Sequence, residues 1–360
     1  MVYNSFGENV VVTLFGESHA EAVGVSVSGF KSGFEINFAE LEKQLLRRKT
    51  NQNDFCSLRN EPDCYELLCG IKNGITTGAN LTAIFHNKDV NGEGYIPYIP
   101  RPSTSDYPAW VKYCGENVSG GGEFSARLTV GLVFAGSVAR QLLKEKWGIE
   151  IYSHVSSIYS YKDVVFGPVF SKELKESLQY DAMPVICKNV RLHYLKVLNN
   201  AKMGRDSVGG CIETAILGVP PGIGSPLFGS IESKLALVMF GVPAVKGIEF
   251  GKGFEITTLK GSEANDPLFY DDIQQVRSKR NNSGGICGGL STGMPIIFNT
   301  AFKPIPSIGK EQETINLEAK SNAKIKIIGK HDVSPVARSA VIVESVAALV
   351  ILDICSKGAG

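Results

Sequence analysis

The feature that most constrains this chain is a pattern that occurs twice in the same order. Leu217-Gly218-Val219-Pro220-Pro221-Gly222 echoes Ser28-Gly29-Phe30-Lys31-Ser32-Gly33, and each precedes a segment of helical spacing, Ile231 to Phe240 matching Phe38 to Arg48. Ser291-Thr292-Gly293 before an apolar strand echoes Thr76-Thr77-Gly78 before Leu81 to His86, and Ala337-Arg338 opening the last helix echoes Ala126-Arg127. Glycine turns recur by chance, but four ordered matches imply a tandem duplication with halves of roughly 1–155 and 200–355. A ligand cleft is expected at the pseudo-symmetric seam, because pockets favour such interfaces.

Several stretches are rich in chemistry. Gly16-Glu17-Ser18-His19-Ala20 lies between two strand-like runs, Val10 to Phe15 and Val23 to Val27, so an acid, a hydroxyl and an imidazole meet at a strand end. An imidazole held there can exchange a proton near neutral pH; the alternative is that His19 only hydrogen-bonds its own turn. Phe38 to Arg48 ends in Arg47-Arg48-Lys49, which reads equally as a solvated C-terminal cap or as an anion clamp. Residues 88–122 form a long proline-containing loop ending in Gly120-Gly121-Gly122, and Ser125-Ala126-Arg127 then starts a helical run to about Lys146. A glycine loop feeding a helix N-terminus is an anion site, although a flexible linker also contains glycines. In the second half, Asn281 to Gly289 and the rigid turn Lys303-Pro304-Ile305-Pro306-Ser307 suit a phosphate-bearing cofactor. Lys330-His331-Asp332 precedes the closing helix, where Asp332 reads alternatively as an N-cap. Residues 158–200 are polar and say little about chemistry.

The balance of 37 basic and 36 acidic residues leaves a net charge of +1, so no global field recruits nucleic acid or an anionic membrane. Eight cysteines without a C-x-x-C pair fit reduced thiols in a cytoplasmic protein. The opening residues do not read as a charged-then-apolar leader, so no export signal is expected, and the run Val346 to Ile351 is too short to span a bilayer. His86, His154 and His193 lack ligand spacing, so no metal is expected.

Together these stretches resemble the chorismate synthase family over essentially the whole chain. The family's three signatures stand here as GESHA at 16–20, GGGEFSAR at 120–127 and GKHDVS at 329–334. Supporting matches are RR at 47–48, RNEPD at 59–63, TTG at 76–78, DSVGG at 206–210, AVKGIEFGKGF at 244–254, SGGICGGLSTG at 283–293 and KPIPS at 303–307. The resemblance implies a single α+β domain over 1–360, a β-α-β sandwich with helices packed between antiparallel sheets. It implies 1,4-elimination of phosphate from 5-enolpyruvylshikimate 3-phosphate to give chorismate, with reduced FMN required. It casts His19 as proton donor, Asp332 as the carboxylate beside the flavin, and Arg48, Arg59, Arg101 and Arg338 as substrate contacts. For FMN the matching positions are Ser125, Pro243, Ala244, Gly288, Lys303, Pro304, Ile305, Pro306, Ser307 and Lys330. A homotetramer is implied. A separate flavin reductase is a candidate partner, because the chain has no glycine-rich dinucleotide fingerprint. The chain also departs from the pattern. Thr104 stands where the family has a second histidine, Glu123 and Phe124 replace Arg and Ser, Asp54 occupies a basic position, and Lys330 replaces an Arg. A hydroxyl cannot take up a proton near neutral pH, and Glu123 puts an anion near a phosphate region. A working enzyme and a non-catalytic relative that binds a flavin or another anion therefore both remain readings of the sequence.

Overall fold

β-Branched runs with inward-facing alternation build two five-stranded antiparallel sheets. The computed structural model describes residues 3–49, 61–88, 96, 98–115, 121–181, 183–327 and 332–356. In the first half lie β1 (Ser5–Phe6), β2 (Val11–Gly16), β3 (Ala22–Ser28), β4 (Glu66–Cys69), the hairpin β5 (Ile71–Lys72) and β6 (Ile75–Thr76), and β7 (Leu81–His86). The second half carries β8 (Glu150–Ile158), β9 (Tyr161–Lys162), β10 (Gly210–Leu217), β11 (Val245–Phe250) and the hairpin β12 (Leu268–Tyr270) and β13 (Val276–Ser278). There follow the hairpin β14 (Ile286–Cys287) and β15 (Leu290–Ser291), β16 (Ile296–Phe302), and the ribbon β17 (Glu311–Asn316) and β18 (Ser321–Lys326). The sheets have strand orders β1-β2-β3-β7-β4 and β11-β16-β10-β8-β9. Register follows the pleat: Leu14 faces Val25, Val25 faces Ala83, and Thr214 faces Phe298.

The helices are α1 (Phe38–Arg48), α2 (Asp106–Lys112), α3 (Thr129–Trp147), α4 (Lys172–Tyr180), α5 (Val190–Met203), α6 (Ile231–Met239), the single turn α7 (Gly261–Ala264) and α8 (Ala340–Cys355). Helix α8 is buried on every face from Ala340 to Ile354, which places it in the middle layer. It packs on β8 and β10, while α3 packs on β3 and crosses α8. That crossing is close because Gly136 has no side chain; a Cβ there would lie 2.3 Å from the Cβ of Ser345. Two antiparallel sheets with apolar helices between them are the α+β sandwich expected from the resemblance. The helical run read from Ser125 begins instead with a 3-10 turn, Ala126–Leu128, and α3 proper starts at Thr129. Residues 158–200, silent in the sequence, supply α4 and α5, which pack on β8 and β9.

The two turns matched in the sequence share individual hydrogen bonds. Gly29 and Gly218, Gly33 and Gly222, and Gly78 and Gly293 all have φ between 82° and 93°, where only glycine is comfortable. The Gly33 amide donates to the Thr76 carbonyl at 2.9 Å, and the Gly222 amide to the Ser291 carbonyl at 2.8 Å. The Thr76 hydroxyl accepts from Phe34 N and donates to Lys31 O, as the Ser291 hydroxyl accepts from Ile223 N and donates to Pro220 O.

One polar cluster lies apart from the cavity described below. His154 on β8 is buried, with Nδ1 3.2 Å from Asp163 and Nε2 2.7 Å from Glu213 on β10. Asp163 also accepts the amides of Val164, Ile186 and Cys187, which ties the chain after β9 to the second sheet.

Candidate active site

Helix α1 starts at Asn37, whose side chain accepts the Glu40 amide at 3.0 Å, and it buries Leu41 and Leu45. Its last turn carries Arg47 and Arg48, which successive helical positions point about 100° apart. Arg47 turns toward α8, where its guanidinium meets Glu344 at 2.7 Å, Gln44 at 2.7 Å and the Leu178 carbonyl at 3.2 Å. Glu344 also takes Arg140 at 2.8 Å and the Ser153 amide at 3.0 Å. Arg48 turns the other way, to Asp63 at 2.7 Å and the Thr129 hydroxyl at 3.4 Å. Neither arginine is a solvated cap, since both are buried.

Arg48 forms part of the wall of a cavity of about 540 Å³ lined by residues from both the N-terminal and the C-terminal parts of the chain. The 3-10 turns ahead of α3 and α8 bring Arg127 and Arg338, the repeated Ala-Arg pairs of the sequence, to this one cavity. Each is gripped by a carboxylate, Arg127 by Asp63 and Arg338 by Asp332. Asp63 therefore holds two arginines, one on each oxygen, from a left-handed backbone (φ 52°) that Asp tolerates better than most residues. Asp332 is engaged here, eight residues ahead of α8, and does not cap it. Glu61 accepts the Lys88 amide at 3.0 Å and stands 4.0 Å from Arg127.

Two guanidinium nitrogens in this wall, Arg48 Nε and Arg127 Nη2, are buried and have no hydrogen-bond acceptor among the described residues. A buried donor of this kind costs free energy until something accepts from it. Burial lowers the proton affinity of Arg48, Asp63 opposes that, and Arg338 and Arg127 add to the lowering. The site is thus a crowd of cations with too few internal anions.

Arg101 adds a fourth guanidinium. It makes a bidentate pair with Asp106, both bonds at 2.7 Å, and reaches the Ser307 hydroxyl at 3.2 Å. Burial pushes the Asp106 carboxyl up, but the hydrogen bonds and charge of Arg101 outweigh it and hold the group below the usual carboxylate range. Lys303 donates to the Ser103 carbonyl. Thr104 also lines the cavity, yet its hydroxyl donates to Arg101 O at 2.9 Å and accepts from Asp106 N at 3.2 Å, so it shapes the entry to α2. Val242, Pro243, Ala244, Ile305, Pro306 and Ile342 supply an apolar wall. Glu123 is exposed and takes a hydrogen bond from the Tyr113 hydroxyl, so its charge is directed away from the cavity lining, whereas Phe124 is part of it.

The cavity thus gathers Arg48, Arg101, Arg338, Asp332, Ser125, Pro243, Ala244, Lys303, Ile305, Pro306 and Ser307 from the residues expected at the site. Pro304 and Gly288 do not line it; Gly288 sits in the turn between β14 and β15. Arg59, Lys330 and Asp54 lie outside the described residues. His19 is half-buried on the turn after β2 and also does not line the cavity. Its neighbour Ser18 donates its amide to Gly122 O at 3.2 Å, which joins the GESHA turn to the glycine segment. Sequence reasoning assigned no role to Glu61, Asp63, Asp106 or Arg127. Glu61, Asp63 and Asp106 were signalled only by membership of the RNEPD stretch and of the segment after Arg101, and Arg127 by the GGGEFSAR stretch and the repeated Ala-Arg pair.

Comparison with known proteins gives the family. The family model for chorismate synthase matches residues 10–355. The chorismate synthase of Korarchaeum cryptofilum is 42% identical over 354 residues, covering 97% of this chain and 96% of that protein. Those of Pyrococcus abyssi and Methanocaldococcus jannaschii are 42% and 37% identical, over 96% and 99% of this chain and 96% and 97% of theirs. A crystal structure of chorismate synthase matches with a TM-score of 0.77 at 23% identity, covering 99% of this chain and 94% of that one, and so shares the fold. With a family model spanning nearly the whole sequence and relatives of this identity at full length, the chain belongs to the chorismate synthase family.

Proposed function

We propose that the protein removes phosphate from 5-enolpyruvylshikimate 3-phosphate by 1,4-elimination to give chorismate, with reduced FMN bound in the same cavity. The observation that carries this reading is the pair of buried guanidinium donors, Arg48 Nε and Arg127 Nη2, that no described residue satisfies, in a wall already rich in cations. A substrate bearing a phosphate and two carboxylates supplies the missing acceptors, and Arg forks suit both groups. Arg48, Arg101 and Arg338 bind and orient it, with Arg59 assigned to the same task by resemblance alone. Each fork is pre-aimed by its carboxylate, Asp63, Asp106 or Asp332, so little ordering is left to the moment of binding.

The residues present also fit a flavin. The apolar wall of Pro243, Ala244, Ile305 and Pro306 suits a flat ring, and Ser125, Lys303 and Ser307 are polar groups for its edge and phosphate arm. When bound, reduced FMN supplies an electron-rich ring that assists departure of the phosphate without net redox change. His19, on the turn outside the cavity lining, is assigned the proton by resemblance alone, and Asp332 holds its neighbour Arg338 at the cavity wall. The cations stabilise the negative charge that gathers on the leaving phosphate. We further assign the repeated halves to a tandem duplication within one domain. A homotetramer working in the cytoplasm, supplied with reduced flavin by a separate reductase, completes the proposal.

Anaerobic turnover of the substrate with chemically reduced FMN, followed by phosphate release and chorismate absorbance, tests this reading. Turnover that disappears in His19→Ala supports it. Absence of turnover in the parent protein while flavin still binds refutes it and favours a relative with another substrate; absence of flavin binding favours a non-catalytic role.

A further inference from the structure

The turn that carries His19 and the arginine wall are joined by one side chain that the proposed chemistry does not use. Asn87 follows β7, and its backbone amide continues the ladder to Glu21 O at 2.9 Å. Its side-chain amide then folds back onto the turn. Asn87 Nδ2 donates to Glu17 O at 3.0 Å and to Ala20 O at 2.8 Å, two carbonyls that flank His19 in sequence. Asn87 Oδ1 accepts from Arg127 Nε at 2.9 Å. Two carbonyl partners require the NH₂ group on one side and a guanidinium requires the oxygen on the other, so chemistry fixes the orientation of the amide. The chain of contacts continues from Arg127 to Asp63 and from Asp63 to Arg48. Holding Arg127 by Nε and Nη1 leaves Nη2 as its donor with no hydrogen-bond acceptor among the described residues of the cavity wall.

We infer that Asn87 is a positioning residue that fixes the His19 turn with its two donors and aims the arginine wall with its acceptor. The first half of this inference rests on the reading of His19 as proton donor; the second rests only on the arginine wall. No other side chain of this length offers two donors and an acceptor together. Aspartate keeps the acceptor and loses both donors, whereas alanine loses all three.

The test separates the two functions by kinetics and by binding. Asn87→Asp is expected to lower kcat roughly 100-fold, the scale of a small misplacement of a reacting group, with KM near that of the parent. Asn87→Ala lowers kcat similarly and also raises KM roughly tenfold, because the guanidinium loses a charge-assisted partner. Calorimetric binding of the phosphorylated substrate to flavin-free protein follows the KM pattern, unchanged in Asn87→Asp and weakened in Asn87→Ala. In a His19→Ala background neither variant lowers the residual kcat further. A parent-like kcat in Asn87→Asp overturns the inference. So does parallel loss of kcat and melting temperature with substrate binding lost equally in both variants, which marks a merely structural residue. If His19→Ala itself retains turnover, the reading of His19 fails, and the binding contrast between Asn87→Asp and Asn87→Ala then decides the arginine half separately. Should Asn87→Ala not fold, Asn87→Asp and its binding measurement still decide it.

Discussion

Two buried arginine clusters lie one residue apart in sequence and do opposite things. The Glu344 cluster is closed: Arg47 and Arg140 converge on one carboxylate, and Gln44, Leu178 O, Ile151 O and Ser153 N complete the bonding. The Asp63 cluster is open, since Arg48 and Arg127 share a carboxylate and still hold donors without acceptors among the described residues beside a cavity. Burial and charge are similar in the two places, so neither identifies a site by itself. What differs is whether the protein has finished its own hydrogen bonding. A satisfied buried ion network specifies a packing, whereas an unsatisfied one facing a cavity specifies a ligand.

The sharpest way to break this contrast is to remove one arginine from each cluster. Arg48→Met is expected to lower kcat/KM by about 100- to 1,000-fold, because a desolvated charge partner of the substrate is lost. Its melting temperature should stay within roughly 4 °C of the parent, equivalent to about 1 kcal/mol or less. Arg47→Met should do the reverse. Stripping a partner from buried Glu344 costs roughly 3–5 kcal/mol in chemical denaturation, while the fraction that remains folded keeps its kinetic constants. Equal kinetic losses in both variants would erase the distinction between closed and open clusters.

A smaller effect tests whether the middle layer, rather than the charges, sets the geometry. Gly136→Ala forces a methyl against Ser345 and should cost roughly 1–3 kcal/mol by overpacking, read as a lower urea midpoint. The smallest effect concerns the other closed cluster. Burial lowers the His154 pKa, but hydrogen bonds to Asp163 and Glu213 outweigh it, so the folded value is raised above 6.5. Its stabilisation is therefore complete below the unfolded value and is lost as pH rises through the folded one. Denaturation of the parent and His154→Gln across this range should show a gap that is widest at acid pH and narrows on the alkaline side. A gap that widens with pH refutes the assignment.

Much of the fold was legible because local chemistry forced it. The paired glycine turns could be read as turns of one kind, since φ near +90° excludes most other residues, and α1 and β7 fell on the residues their periodicity indicated. Residues 158–200 were not legible, as the polar faces of α4 and α5 masked the short apolar stripes that pack on the second sheet. At the site, the sequence could name Arg47 and Arg48 but could not separate them, because a rotation of about 100° around α1 decides which reaches Glu344 and which the cavity. Asp63, Asp106 and Asn87 were hidden for a related reason. Each acts by holding other residues, and those partners lie 5 to 70 positions away along the chain. Thr104 was read as a lost proton carrier, and the structure adds that its hydroxyl is occupied by the turn into α2.

The close crossing of α3 and α8 reaches beyond packing. Arg127 and Arg338 stand in the turns just ahead of those two helices, so the span between their guanidinium groups is tied to how nearly the helix axes approach. The absent side chain at Gly136 thus works as the stop on a caliper. The jaws are two arginines far apart in sequence, and under the proposed function the size of object they would grip is written in a residue that never meets it.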